Sequence, residues 1–403
     1  MNPQRILFFV LLIPFLIGCM GGDRFTATAW SGLAISEEEE LLYVSTGNGK
    51  LMVFNSESGK IEAEFPDSDG GDMGIGQFYS SPTVYGDWVF VASYQKEKKK
   101  CGPSGKDGIA PCGRIYGLKW TGDAEGDNRR LRREWVFPST REEAKGAFIG
   151  SPAVMGDILV VGSSDKKLYA IDFEDDGKLK WTFDGANDKI WSTPTISENV
   201  VYFGSLDHSL YAIDLASGKK LWSYPSKGAI TSRPLVRDDV LYFGSFDKHI
   251  YALDVHNHGA ELDSFQGDDW IWADLVTDGD LLYAGTLGGT VYGLNLPELT
   301  EEWVFPGDIL PGAIVAAPVL AGHTVGVFSD EGHFVFLDID DGQDLWNGFL
   351  PGEEDIAFRS SPVAYGDSVA VMKTNCSVHR FNWKKEVNHD RKFDWVEKVD
   401  VCK

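Results

Sequence analysis

Apolar and polar residues alternate most regularly in Ser192–Tyr224. Four short apolar runs in this stretch are separated by turn residues. The runs are Thr195-Ile196, Val200–Phe203, Leu210–Ile213 and Leu221–Tyr224. Short runs rich in Val, Ile, Tyr, Phe and Trp are typical of β-strands, and the Gly, Ser, Asp and Asn residues between them are typical of hairpin turns. No window shows a sustained helical period. The pattern therefore predicts a four-stranded antiparallel meander.

This unit recurs along the chain at intervals of roughly 40 residues, which is the spacing of four-stranded propeller blades. A single meander cannot bury both of its faces, so tandem copies are expected to stack and to close into a ring. We predict an all-β fold, an eight-bladed β-propeller of four-stranded antiparallel blades. Seven blades are the alternative, because the first and last copies are the least regular. The predicted domain covers residues 31–403, with blades that start near residues 31, 81, 151, 193, 233, 273, 317 and 361.

Four kinds of residue recur at fixed places in the copies, and each has a predicted structural role. A Gly after the second run would let neighbouring blades approach closely, and a Gly in the last hairpin would adopt a positive φ. A Trp in the fourth run would pack between blades, and an Asp after the third run would cap the hairpin. In that order the residues are Gly162, Gly204, Gly244 and Gly285; Gly59, Gly177, Gly218 and Gly342; Trp135, Trp181, Trp222, Trp303 and Trp346; and Asp172, Asp214, Asp254 and Asp338.

The first residues predict a secretion signal and not a part of the fold. Arg5 precedes the apolar run Ile6–Ile17, which is too short to span a bilayer as a helix. The run leads into a Leu-x-Gly-Cys sequence that ends at Cys19 and resembles the lipobox of bacterial lipoproteins. That resemblance implies a signal peptide over residues 1–18, diacylation of Cys19, and a lipidated N-terminus and linker over residues 19–30. An ordinary secretory signal with a coincidental Cys is the alternative.

The net charge and the predicted export signal indicate which partners the protein can bind and where in the cell it is located. A formal net charge of −24 argues against a nucleic-acid partner and favours a self-repelling, monomeric ring. A lipid anchor would hold that ring at a membrane of the cell envelope. Met20 after the Cys resembles the outer-membrane sorting signal, so we expect the outer membrane facing the periplasm, or the cell surface.

Four cysteines remain once Cys19 is assigned to the anchor. An even number in an exported protein suggests two disulfides. We pair Cys101 with Cys112 and Cys376 with Cys402, because each pair falls within one predicted blade. Free thiols are the alternative.

A family resemblance supports the ring. Ala212-Ile213-Asp214, followed by Ser217-Gly218-Lys219 and Trp222, resembles the tryptophan-docking repeat of the pyrroloquinoline-quinone (PQQ) type propellers. Residues 170–181 match the repeat with one extra turn residue, and residues 337–346 match it more loosely. The similarity covers nearly the whole mature chain. It implies the propeller fold but no function, because the repeat is a packing device and not a cofactor site.

Two branches of that family imply different functions. The BamB branch is similar in length, lipobox and architecture, and it implies a lipid-anchored, non-catalytic scaffold that binds a protein in the envelope without a cofactor. The quinoprotein dehydrogenase branch implies an enzyme with PQQ beside calcium, a catalytic Asp and an Arg. That branch usually has an adjacent-cysteine disulfide, and this sequence has no Cys-Cys pair. We therefore expect a scaffold and leave enzymatic activity open, with a propeller that binds a small ligand or a glycan as a further alternative.

Two sets of residues are candidates for a partner-binding surface. Aromatic residues recur just before the first run of several copies, where they would ring the channel mouth, and packing under the connecting loops is the alternative. Lysines in the long insertion of the second copy could meet an anionic partner or lipid headgroups, and a solvated loop is the alternative. A second basic run, Asp127–Arg133, should emerge from the opposite rim. The candidates are Phe78, Tyr79, Phe148, Trp191, Trp270, Trp272 and Phe358, and Lys98, Lys99 and Lys100.

Three segments are similar to metal sites but lack a complete ligand set, so we predict no metal site. Asp338–Asp344 and Asp67–Asp72 lack the spacing and the distal Glu of an EF-hand, and we interpret them as hairpin turns. His256 and His258 could bind zinc only with ligands from elsewhere, and a solvent-exposed turn is the simpler interpretation.

Overall fold

The computed structural model describes residues 32–36, 38–66, 76–95, 112–122, 129–139, 146–349, 358–373, 377–382 and 395–398. Every regular element in these ranges is a β-strand. In the described ranges there is no helix with the length and apolarity that crossing a membrane requires. The predicted signal peptide and linker, including Cys19, lie outside the described residues.

The first four blades contain strands β1 to β17. The first blade has β1 to β4, which are Leu33–Ser36, Leu41–Ser45, Leu51–Asn55 and Ile61–Phe65. The second has β5 to β9, which are Gln77–Phe78, Thr83–Tyr85, Trp88–Gln95, Cys112–Thr121 and Arg130–Phe137. The third has β10 to β13, which are Ala153–Met155, Ile158–Gly162, Leu168–Asp172 and Lys178–Phe183. The fourth has β14 to β17, which are Thr195–Ser197, Val200–Gly204, Ser209–Asp214 and Lys220–Pro225.

The last four blades contain strands β18 to β33. The fifth blade has β18 to β21, which are Leu235–Arg237, Val240–Gly244, His249–Asp254 and Ala260–Gln266. The sixth has β22 to β25, which are Val276–Thr277, Leu281–Gly285, Val291–Asn295 and Thr300–Phe305. The seventh has β26 to β29, which are Val319–Ala321, Thr324–Phe328, His333–Asp338 and Asp344–Phe349. The eighth has β30 to β33, which are Val363–Tyr365, Ser368–Met372, Ser377–Asn382 and Trp395–Lys398.

Each blade is one continuous stretch of chain, and apart from β5 each strand pairs with its sequence neighbours in the blade as antiparallel partners. Eight such sheets are present, which confirms the predicted eight-bladed, all-β propeller. The second blade is larger than the others, because the short β5 pairs with the end of β7 beyond β6. Its β7 and β8 are accordingly long, with 8 and 10 residues.

The ring closes between the eighth blade and the first, and the described strands of these two blades form separate sheets. One apolar cluster contains Leu42 and Phe54 of the first blade together with Ala370 and Met372 of the eighth. The buried Tyr365 hydroxyl also donates a hydrogen bond to the Ser56 carbonyl oxygen at 3.0 Å. Side-chain packing and single hydrogen bonds therefore hold the two ends of the ring together.

A Trp–Gly contact joins most of the other blades. The Trp of the outermost strand lies against the Gly in the last hairpin of the following blade, and that Gly has a φ between +67° and +72°. A Cβ on the Gly would lie 2.5–2.6 Å from the indole, so the site requires Gly both for its backbone and for its missing side chain. The pairs are Trp135 with Gly177, Trp181 with Gly218, Trp222 with Gly259, and Trp303 with Gly342.

The fifth and sixth blades replace both partners of this contact. Asp263 occupies the Trp position, because it pairs with Ala252 as Trp222 pairs with Ala212. The last hairpin of the sixth blade contains Leu299, with a φ of +50°, in place of Gly. The Leu299 side chain is buried between these two blades, where the indole would otherwise lie. Leu299 of the sixth blade thus fills the interface that a Trp of the preceding blade fills elsewhere.

The structure confirms the predicted roles of the remaining recurring residues. A Cβ at Gly162, Gly204, Gly244 or Gly285 would lie 2.2–2.4 Å from an Ile side chain that precedes the next blade. The Asp214 carboxylate accepts the backbone N–H of Ser217 at 2.8 Å, and the other three Asp residues cap their hairpins in the same way.

The outermost strand carries a β-bulge in each of the first seven blades, one residue before the Trp position. A bulge twists an edge strand and interrupts its hydrogen-bonding pattern, which protects the edge from pairing with another chain. The bulge residues are Glu62, Glu134, Lys180, Leu221, Leu262, Glu302 and Leu345.

Candidate functional site

A cavity of about 140 Å³ lies on the ring axis, and seven of the eight blades contribute to its wall. It opens on the end of the ring that carries the segments between blades and the hairpins between second and third strands; we call this end the cavity face. Each segment between blades supplies one residue that lines the cavity, directly after a fully buried apolar residue. The lining residues at this position are Tyr79, Ile149, Trp191, Thr231, Trp272, Val315 and Arg359.

Alternation along these segments corrects one expectation from the sequence. Phe78, Phe148 and Phe358 were expected to ring the channel mouth, but all three side chains are fully buried between blades. Because the segments are extended, consecutive side chains point to opposite sides, and the residue after each Phe is the one that faces the cavity. Tyr79, Trp191 and Trp272 do line the cavity, as expected.

Backbone hydrogen bonds fix most of the segments between blades. The N–H of Ile190 donates to the Ser163 carbonyl oxygen at 3.1 Å, and Ile230 and Ile271 make the equivalent bonds to Ser205 and Ser245. The Ile side chain occupies the space that the preceding Gly leaves free. These contacts set which residue of each segment faces the axis.

The tryptophans on the cavity face are held in place by neighbouring side chains. The indole N–H of Trp191 donates to Ser164 Oγ at 3.0 Å, and the Lys189 amine lies 5.3 Å from the ring centre. Phe246 stacks between Trp270 and Trp272, with ring centres 5.0 and 5.2 Å apart. These contacts within the chain therefore support the aromatic rings around the cavity without a partner.

Two charged residues, Asp274 and Arg359, are among the described residues that line the cavity. Asp274 Oδ1 accepts the backbone N–H of Arg233 at 2.6 Å, which links the fifth and sixth blades. Burial raises the pKa of Asp274, although that hydrogen bond and the Arg233 charge act in the opposite direction. Arg359 is half-buried and makes no hydrogen bond or ion pair within the part of the chain that the structure describes.

Tyr–Asp pairs beneath the cavity face were missed in the sequence. The hydroxyls of Tyr169, Tyr211 and Tyr251 donate to carboxylates four residues earlier, at 2.6, 2.7 and 2.8 Å. The same carboxylates accept backbone N–H groups from the segment that leads into their own blade from the preceding one. Burial and the nearby Asp207 raise the pKa of Tyr211 to about 12. The repeated Asp-x-x-x-Tyr spacing is a signal that could have revealed these pairs.

Most of the basic and cysteine candidates lie outside the described residues. This holds for Lys98, Lys99, Lys100, Cys101, Cys376 and Cys402, while Cys112 is described only as the first residue of β8. The second basic run is partly described. Arg129 forms an ion pair with Glu39 of the first blade, and its guanidinium lies 4.3 Å from the Trp120 ring centre. Arg129 therefore joins two blades, and the predicted disulfides stay predictions.

One group of possible metal ligands occurs among the described residues, on the face opposite the cavity. His323, Asp338 and Asp340 have ligand atoms within 4.8 Å of one another. His323 Nε2 lies 3.0 Å from Asp340, which raises the pKa of His323, and Asp338 caps the backbone N–H of Asp340 at 2.9 Å. These contacts join two turns of the seventh blade, and we interpret the group as an ion pair with a hairpin cap.

Comparison with known proteins connects this architecture to one family. The family described as outer membrane protein assembly factor BamB matches residues 24–261 and 258–385. The crystal structure of BamB from Moraxella catarrhalis has a TM-score of 0.65 and 15% identity, over 89% of this chain and 95% of that chain. The computationally designed Ika8 protein has a TM-score of 0.67 and 16% identity, over 87% of this chain and 95% of that chain. No curated protein matches the chain. At such low identities, structural similarity establishes the fold and not the function.

Proposed function

The chain belongs to the family described as outer membrane protein assembly factor BamB, and from this membership we propose that it is a lipid-anchored, non-catalytic scaffold that binds a protein partner in the cell envelope. Cys19 would carry the lipid and hold a monomeric ring at the outer membrane, facing the periplasm, or at the cell surface. The net charge of −24 makes a nucleic-acid partner unfavourable.

The observation that carries this proposal is the ordered aromatic surface of the cavity face. Trp191, Trp272 and Tyr79 line the axial cavity, and Trp270 and Phe246 extend the aromatic surface outward from it. Trp and Tyr are enriched in the residues that contribute most to protein–protein binding. Because these rings are already held by stacking and hydrogen bonds, a partner loses little free energy in ordering them.

The quinoprotein alternative fits the described cavity less well. A cavity of 140 Å³ is close to the volume of about 150 Å³ that accommodates one benzene molecule, whereas PQQ has three fused rings. Calcium requires 6–8 oxygen ligands, and Asp274 is the one carboxylate among the described lining residues. The single described carboxylate supports the scaffold over PQQ beside calcium, and we propose no redox step and no cofactor.

Site-specific photocrosslinking in native membranes tests the scaffold proposal. The photoreactive residue p-benzoylphenylalanine replaces Phe246 on the cavity face or, as a control, the exposed Ala216 on the opposite face. We expect an adduct with an envelope protein from position 246 and a much weaker one from position 216. In a Cys19→Ser background the protein should leave the membrane fraction, and the adduct should decrease with it.

Two outcomes would contradict the proposal. Equal adducts from both faces, or no adduct from position 246, would argue against a partner on the cavity face. Membrane attachment that persists in the Cys19→Ser variant would argue against the lipid anchor.

A further inference from the structure

We propose that the axial cavity binds a carboxylate group attached to a body about the size of one aromatic ring. This inference deepens the proposed scaffold function by naming what the partner inserts. It depends on the distribution of polar and apolar residues around the cavity wall.

Arg359 is the charged group that would bind the carboxylate. It is half-buried in the cavity wall and has no ion pair or hydrogen bond among the described residues, although the chain has 61 acidic residues. A guanidinium presents its N–H groups in a planar fork that matches the two oxygens of a carboxylate. An incoming carboxylate would supply the acceptors that the described residues do not supply.

Ser80 adds a second polar group with no partner. In the fourth and fifth blades the equivalent serines, Ser192 and Ser232, bond to the backbone of Gly204 and Gly244 at 2.8–3.0 Å. Ser80 is only 6% exposed and lines the cavity, and its Oγ has no hydrogen-bond partner among the described residues. A buried hydroxyl without a partner is unfavourable, and a ligand oxygen could satisfy it.

The order of the blades places these polar groups on one side of the cavity. Arg359 comes from the eighth blade and Ser80 from the second, on either side of the first blade. Trp191 and Trp272 come from the fourth and sixth blades, which lie across the ring. A ligand with a carboxylate at one end and an apolar ring at the other would match both sides.

Asp274 limits the orientation of such a ligand. It belongs to the sixth blade, on the tryptophan side, so a carboxylate held by Arg359 would point away from it. Its Oδ1 already accepts the N–H of Arg233 at 2.6 Å. The cavity volume of about 140 Å³ matches an apolar part of roughly one benzene ring.

Ligand-observed fluorine NMR on the full-length protein in detergent tests this inference. The probes are 3-(4-fluorophenyl)propanoate and its uncharged primary amide. We expect the acid to bind at least about tenfold more tightly than the amide, which is typical of losing one charge-assisted hydrogen bond. Arg359→Gln should weaken acid binding by a similar factor. Arg237→Gln, which changes an exposed arginine on the opposite face, should have no effect.

The tripeptide Gly-Gly-Tyr distinguishes the two possible sources of the carboxylate. Competition by the tripeptide would support a polypeptide terminus as the natural ligand, and binding of the free acid alone would favour a small molecule. An Arg359→Lys variant keeps the charge without the fork and should bind the acid with intermediate affinity, provided that its circular dichroism and melting temperature match the parent.

The inference is wrong if the acid does not bind at millimolar concentration, if acid and amide bind equally, or if Arg359→Gln has no effect. None of these results depends on the crosslinking experiment. A crosslinked partner without acid binding would leave the scaffold proposal standing and reject only the inserted carboxylate.

Discussion

The interface between the sixth and seventh blades and the seam between the eighth and first blades hold the same ring together by different means. At the first, Trp303 packs on Gly342 and donates its indole N–H to the Ile339 carbonyl oxygen at 2.8 Å. At the seam, a mixed apolar cluster contains Tyr365, whose hydroxyl donates to Ser56, and Arg380 donates to the Glu57 carbonyl oxygen at 3.0 Å.

The comparison distinguishes contacts that every copy of the repeat can make from contacts that are made only where the ring closes. The Trp–Gly contact occurs four times among the described residues, so each copy of the repeat carries both halves of an interface. The described contacts at the seam each occur once and link residues more than 300 positions apart. Repeated interfaces should therefore depend on one large side chain, and the seam should depend on several smaller contributions.

Removing an indole tests the repeated interface most severely. Trp303→Ala deletes a side chain that is 6% exposed, together with its hydrogen bond, and should cost about 3–5 kcal/mol in the free energy of unfolding. Urea denaturation measures this value. The control is Asp263→Ala, at the matching position of the fifth blade, which should cost less than about 1 kcal/mol. A loss below about 1 kcal/mol for Trp303→Ala would remove the distinction between the two interfaces.

Adding a methyl group to the partner glycine should have the next largest effect. Gly342→Ala forces an L-residue to a φ of +67° and places a Cβ 2.6 Å from the Trp303 ring. The backbone term alone costs about 1–2 kcal/mol, and overpacking adds about 1–3 kcal/mol. Gly156→Ala isolates the backbone term, because Gly156 has a φ of +60° and no atoms within 4 Å of the added Cβ. Equal losses of unfolding free energy in the two variants would show that the indole contact is unimportant.

Removing one hydrogen bond at the seam should have the smallest effect. Tyr365→Phe deletes the hydroxyl that donates to Ser56 and should cost about 1 kcal/mol. Tyr85→Phe is the control, because Tyr85 is exposed and its hydroxyl has no hydrogen bond among the described residues. Thermal unfolding of both variants measures the difference. If Tyr365→Phe lowered the free energy of unfolding nearly as much as Trp303→Ala, the seam would also depend on one dominant contact.

The residues of the repeated interfaces could be predicted from the sequence, whereas those of the interfaces that occur once could not. Trp181, Gly218 and Asp214 recur at fixed spacing, so their roles follow from the sequence pattern alone. The link between Trp120 and Tyr43, a hydrogen bond of 2.9 Å across the first two blades, has no copy elsewhere among the described residues. The sequence shows that Asp263 stands at a Trp position and Leu299 at a Gly position. It does not show that these two positions are in contact, so the compensation between them could not be predicted.

The cavity was predicted only in part, for a physical reason. Hydrophobicity does not distinguish Phe78 from Tyr79 or Ile190 from Trp191, because both members of each pair are largely apolar. In extended backbone they point to opposite sides, and only the phase of that alternation decides which one is buried. The roles of Arg359 and Ser80 were not predicted, because they depend on contacts that are absent among the described residues and on blades that are distant in sequence.

The chain enters the ring at its innermost strand, and this sets how a membrane tether would orient the molecule. Gly32 packs directly against Ser81, which lines the cavity. Cys19 lies thirteen residues earlier, and a fully extended chain of that length reaches at most about 45 Å. A lipid on Cys19 would therefore hold Gly32, beside the cavity-lining Ser81, within about 45 Å of the bilayer. A partner embedded in the same membrane would then meet Arg359 and the tryptophans at a high effective concentration, so even weak individual contacts would be occupied.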